Sequence, residues 1–156
     1  MYIQELSLSD TEKSYQKFIE HFDSTERFSL PYEKEKNNYD LWLNKTIGLK
    51  QGHNSERYYW LKEEMNVIGL GRITPNASKE YAKSWGHIGY YIAVSYRKKG
   101  YGTIALDHLL HEIKKFQENE ILLRIKVTNI ASRKITESNG GLLKKVIDDI
   151  CIYQIK

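Results

Sequence analysis

Apolar residues recur along this chain with two spacings, and each spacing implies a different element. Tyr15, Phe18, Ile19 and Phe22 fall three or four residues apart, which predicts a helix over about 10–22. Ser9-Asp10-Thr11-Glu12 in front of it has the form of a capping box. A second helical stripe after Pro31 is carried by Tyr39, Trp42, Leu43 and Ile47, with Gly48 placed to end it. The widest stripe is Ile104, Leu106, Leu109, Leu110, Ile113 and Phe116, predicting a helix over 103–117. Strand-like runs lie at 2–6, 57–62, 67–74, 85–94, 121–128, 142–147 and 150–155. The second and third are joined by Glu63-Glu64-Met65-Asn66 and read as a hairpin. Pro75-Asn76-Ala77-Ser78 breaks the pattern, and residues 75–84 read as a loop. Asn129 is placed to cap a short helix over 130–138, ended by Asn139-Gly140-Gly141.

The predicted order is β-α-α-β-β-β-α-β-α-β-β, an α+β fold (α/β mixed sheet) with helices packed on its faces. Its 85–128 segment is a β-α-β unit with parallel strands. The 156 residues, 40% of them hydrophobic, fit a single domain over 1–156. No apolar run approaches the roughly 20 residues needed to span a bilayer. The N-terminus lacks the basic start and apolar stretch of a secretion signal, and Cys151 is the only cysteine. A cytoplasmic protein without membrane contact is therefore expected. Net charge is +4, which suits an anionic partner, either nucleic acid or a phosphorylated small molecule. The twelve tyrosines serve strands and pocket walls equally well.

The position of the charge decides between those partners. Arg97-Lys98-Lys99-Gly100-Tyr101-Gly102-Thr103 lies where a predicted strand turns into the start of a helix. Helix-starting amides lack intrahelical partners, and the helix dipole adds partial positive charge there. Two glycines let the backbone approach a phosphate closely. The cations cluster on this loop instead of spreading along a face among exposed aromatics, which argues against nucleic acid. The spacing fits neither the dinucleotide fingerprint nor the P-loop. No His/Cys/Asp/Glu group has metal-ligand spacing, so no metal is expected.

Arg97-x-x-Gly100-x-Gly102 resembles the Arg/Gln-x-x-Gly-x-Gly/Ala signature of the GCN5-related N-acetyltransferase (GNAT) family. Gly86-His87-Ile88-Gly89-Tyr90-Tyr91-Ile92 is similar to that family's fourth strand, and Asn129 through Gly141 to its second cofactor motif. The pairing of a Gly-His-Ile-Gly-Tyr strand with an Asn-Ile-Ala-Ser helix start looks like a bacterial branch. The resemblance implies a GNAT-like fold and an N-acetyltransferase that moves an acetyl group from acetyl-CoA to a primary amine, by direct attack in a ternary complex. The alternative it leaves open is a non-catalytic coenzyme-A-binding module of the same fold. It also implies strand edges that pair copies into a homodimer.

Site residues follow from the resemblance position by position. Main-chain groups of Tyr91, Ile92, Ala93 and Val94 would hold the pantetheine arm, in a gap between the fourth and fifth strands. An amide near Ile92 would polarise the thioester carbonyl. Amides from Arg97, Lys98, Lys99, Gly100, Tyr101, Gly102 and Thr103 would hold the pyrophosphate, with Lys98 or Lys99 reaching the ribose phosphate. Asn129 reads both as a helix cap and as a pantetheine contact, and Ser132 both as a surface serine and as a cofactor contact. Seven residues after Asn129, where many members carry a tyrosine acid, stands Thr136. His87 is the candidate base, set against a packed histidine bonded to a neighbour. Tyr90 and Tyr91 point to opposite faces of the strand, and Tyr90 is carried as a second catalytic candidate. Acceptor selection is expected in residues 22–56 and 75–84, where Asp23, Glu26, Glu33 and Glu35 would attract a cationic amine.

Overall fold

The computed structural model describes residues 1–7, 39–48 and 55–156. The helix expected over 10–22, its capping box, and the acidic residues Asp23, Glu26, Glu33 and Glu35 lie outside the described residues.

Described elements follow in the order β1 (Tyr2–Glu5), α1 (Tyr39–Gly48), β2 (Arg57–Glu63), β3 (Asn66–Ile73), α2 (Lys79–Trp85), β4 (Ile88–Ile92), α3 (Tyr101–Lys114), β5 (Ile121–Lys126), α4 (Ile130–Ser138), β6 (Leu142–Ile147) and β7 (Ile150–Ile155). The strands form two ladders, β1-β2-β3-β4 and β5-β7-β6, with every pairing antiparallel. β4 and β5, expected to lie parallel with a gap between them, share no ladder and meet at their starts. His87 N–H donates to the Leu122 carbonyl at 2.7 Å. Past that junction each strand belongs to its own ladder, and the space between them opens.

β2 and β3 are buried on both faces, so they read as near-continuous apolar runs. Tyr58, Trp60, Leu70 and Tyr91 face α1, where Trp42 packs on Trp60 with ring centroids 5.6 Å apart. The alternate residues Tyr59, Leu61, Ile73, Ile88 and Ile92 join α3 residues in two further clusters. Gly71 lets α3 approach the sheet, because a Cβ there would lie 2.8 Å from a Leu109 methyl.

One element was absent from the expectation. Residues 79–85 form α2, and Ser78 caps it by accepting from Tyr81 N–H at 3.1 Å. Two helical turns carry too few apolar positions to show a period. The predicted strand start at Trp85 belongs to this helix, and β4 begins only at Ile88.

Candidate functional site

The β4–α3 turn runs as a short 3-10 segment, Val94–Tyr96, followed by the glycine loop. Gly100 caps α3 in the left-handed conformation, φ 84°, with open space where a Cβ would lie. The first intrahelical acceptor is the Gly100 carbonyl, which takes Thr103 N–H at 3.1 Å and Ile104 N–H at 3.3 Å. The amides of Tyr101 and Gly102 therefore precede the helical ladder and stand at its positive end. This is the physical core of an anion site.

The loop's side chains divide by role. Arg97 turns inward, with Nε donating to the Ile92 carbonyl at 2.8 Å and its guanidinium over the Tyr91 ring at 5.2 Å. It anchors the loop to the end of β4. Lys99 Nζ donates to the Ser95 carbonyl at 3.0 Å and lies over the Tyr96 ring. Lys98 is exposed, with φ 59°. Gly102 performs a packing task that its motif did not reveal. A Cβ there would lie 2.6 Å from Ile135 Cδ1 of α4, so glycine is what lets the two helices close up. Asn139 strengthens the same junction, donating from Nδ2 to the Thr103 carbonyl at 3.3 Å.

Main-chain direction in β4 follows from its register. Thr74 N–H donates to the His87 carbonyl and Ala93 N–H to the Ile68 carbonyl, both at 2.8 Å. Gly89 and Tyr91 thus spend their peptide groups on β3, as do the His87 carbonyl and the Ala93 amide, while Ile88, Tyr90 and Ile92 direct theirs toward the opening beside β5. Of the four residues Tyr91–Val94 expected to hold a pantetheine arm by main chain, Tyr91 and Ala93 are committed to the sheet. Ile92 faces the opening, and Arg97 already occupies its carbonyl.

Tyr90 directs its side chain to the α3 and α4 face, and its hydroxyl lies 3.2 Å from Ser132 Oγ in the first turn of α4. The ring therefore crosses the opening between β4 and the helix that follows β5. Burial pushes its pKa up to about 12, with the Ser132 hydrogen bond opposing, so the phenol keeps its proton at neutral pH. Asn129 caps α4, its Oδ1 accepting from Ser132 N–H at 3.1 Å.

His87 lies at the closed end of the opening. Its ring is buried, Nδ1 accepts from Leu122 N–H at 2.9 Å, and Nε2 faces a Glu118 oxygen at 4.0 Å. A neutral imidazole has one lone pair, and Leu122 uses it. The bond ties β4 to β5 and takes the lone pair that the expected base would use. Burial lowers its pKa, and Glu118 opposes that shift. Thr136 is fully buried, with no hydrogen-bond partner for Oγ1, and packs its methyl against Gly141. It presents no proton donor to the opening. Cys151 is buried in β7.

A polar network on the α1 side escaped the sequence reading. Glu56 accepts from Arg72 at 3.1 Å and from Tyr58 at 2.9 Å, and also from the Tyr81 hydroxyl. Arg72 reaches the Trp85 and Gly86 carbonyls as well, each at 3.4 Å. Burial is the first cause raising the pKa of both tyrosines. The network fixes α2 to the sheet. Its sequence signal was only the placement of Tyr58 and Arg72 on one face. Among the described residues no three His, Cys, Asp or Glu side chains gather as a metal site, and no helix is long and apolar enough to cross a membrane.

A family model described as acetyltransferase (GNAT) domain matches residues 1–141. The chain belongs to the GNAT acetyltransferase family. No curated protein is similar enough to the sequence to match it. Among solved structures it is similar to the Campylobacter jejuni N-acetyltransferase PseH in complex with acetyl coenzyme A. Identity is 14%, TM-score 0.67, and coverage 99% of this chain and 97% of that one. It is also similar to yncA from Salmonella typhimurium with its cofactor acetyl-CoA, at 14% identity and TM-score 0.69, covering 99% and 92%. Mutant forms of the Vibrio cholerae spermidine/spermine N-acetyltransferase SpeG match at 16% identity and TM-score 0.65, covering 99% and 93%.

Proposed function

We propose that this protein is an N-acetyltransferase that moves the acetyl group of acetyl-CoA onto the primary amine of a small molecule or peptide, by direct attack in a ternary complex. The observation that carries the reading is the start of α3. Unladdered amides at a helix N-terminus, a left-handed Gly100 with open space beside it, and exposed Lys98 border the opening of β4 from β5. Family membership and the acetyl-CoA bound in two structural relatives support the same donor.

In this reading the amides of Tyr101 and Gly102 at the start of α3 hold the pyrophosphate, those of Arg97 and Thr103 being committed to the Val94 and Gly100 carbonyls, and Lys98 attracts the ribose phosphate. Ile92, whose peptide group faces the opening, supplies an N–H to the thioester carbonyl as charge develops on its oxygen. Asn129 and Ser132 line the other wall. The neutral amine attacks the carbonyl carbon, and no described side chain is required to deprotonate it. The pairing of two copies belongs to the same reading. β6 supports it, because it is an outer strand whose Leu142, Leu143, Val146 and Ile147 are exposed. A single-chain mass by light scattering contradicts that part alone.

A second reading, a coenzyme-A-binding module without turnover, is favoured by one observation: Thr136 is buried where many members place a tyrosine acid. A panel of amino acids, polyamines, aminoglycosides and peptide N-termini separates the two. Amine-dependent release of free thiol from acetyl-CoA is expected. Binding without release on any acceptor favours the module.

A further inference from the structure

We propose that Tyr90, reaching across from β4, is the acid that protonates the departing coenzyme A thiolate, with Ser132 as the relay that restores its proton. The inference rests on the acetyl-CoA reading above and deepens it.

Three observations lead to it. Thr136 cannot serve, because its hydroxyl is buried and its methyl is packed on Gly141. Tyr90 is the described phenol that spans the opening, with its hydroxyl 3.2 Å from Ser132 Oγ. Tyr91, its neighbour, points to the opposite face among the residues packed on α1. The hydrogen bond joins two hydroxyls, each able to donate or accept. With Ser132 donating to the phenolic oxygen, the phenolic proton is free to turn toward a sulfur. Ser132 itself lies beside the exposed residues Asn129, Ile130 and Ala131, so the relay ends at solvent.

The amine nitrogen forms the C–N bond to the acetyl carbonyl carbon, and the C–S bond breaks with its electron pair leaving on sulfur. The thiolate takes the Tyr90 proton and becomes the free thiol. The phenolate recovers a proton from water through the Ser132 hydroxyl, and the acylated nitrogen gives its surplus proton to water. No oxidant or reductant is involved.

The test uses coenzyme A itself and needs no acceptor. The thiol of coenzyme A bound to the wild-type protein is titrated by its ultraviolet thiolate absorbance, beside Tyr90→Phe. If Tyr90 donates to the thiolate, the bound thiol pKa rises by about one unit in Tyr90→Phe, while coenzyme A affinity stays within about threefold. Once an acceptor is known, turnover of the variant is expected to fall about 100-fold. Equal thiol pKa values in the two proteins overturn the proposal. Should Tyr90→Phe fail to fold, the wild-type titration decides alone: a bound thiol titrating at or above free coenzyme A overturns it, and one titrating below supports it. Absence of coenzyme A binding by the wild type ends the acetyl-CoA reading at an earlier and separate step.

Discussion

Ile135 of α4 rests its terminal methyl on Gly102 of α3, 2.6 Å from where a Cβ would stand. The second glycine of the phosphate-loop motif is thus a seat for the neighbouring helix. The loop and α4, which border the opening from two sides, are held as one unit through this contact and through Asn139 bonding to the Thr103 carbonyl.

Gly102→Ala is expected to cost about 1–3 kcal/mol through overpacking and to weaken acetyl-CoA binding as α4 is displaced. Ile135→Val, which removes the clashing methyl, should restore both. Gly100→Ala, in open space at φ 84°, should cost about 1–2 kcal/mol through backbone strain, with no rescue by Ile135→Val. Thermal melts and calorimetry on the singles and doubles check this. A Gly102→Ala protein as stable as wild type would show that the helices do not depend on the contact.

His87 links stability to pH. Its folded pKa lies below the ordinary 6.5, so the unfolded chain takes up the proton first. The contribution of its bond to Leu122 is whole above about pH 6.5 and is lost as the pH falls toward the folded pKa, with a slope of at most about 1.4 kcal/mol per unit. Glu118 and Glu120 soften the fall, and Arg72 sharpens it. His87→Asn keeps an acceptor for Leu122 N–H without titrating, and should flatten the stability curve below about pH 6.5. Identical curves for the two proteins would remove that bond from the account. Turnover of His87→Asn should keep the wild-type pH profile.

Thr136→Val replaces an unpaired buried hydroxyl by a methyl. Stability should stay level or rise by about 1 kcal/mol, with turnover unchanged. A loss of turnover beyond about tenfold without unfolding would return proton transfer to this position.

The long periodic elements were legible from the chain. The α3 stripe, the β2–β3 hairpin and the final strands at 142–147 and 150–155 stand where the pattern predicts them. α2 was not legible, because seven residues are too short to display a helical period. The separate ladders of β4 and β5 were not legible in the alternation of either strand, since pairing is decided between segments. The loop motif and the Asn129 cap were visible because local backbone chemistry fixes them. The side-chain partners were not. That Arg97 bonds the Ile92 carbonyl, His87 the Leu122 amide, Tyr90 the Ser132 hydroxyl and Gly102 the Ile135 methyl depends on residues up to 42 positions apart. For His87 that distant partner takes the lone pair a base would use.

The central claim is that the start of α3 receives the phosphates of acetyl-CoA, and calorimetric titration of the wild-type protein with acetyl-CoA tests it most directly. Saturable binding of one acetyl-CoA per chain in the micromolar range is expected, abolished by Gly100→Glu in a protein that still folds. An absence of saturable binding to the wild type, or unchanged affinity in Gly100→Glu, would contradict it.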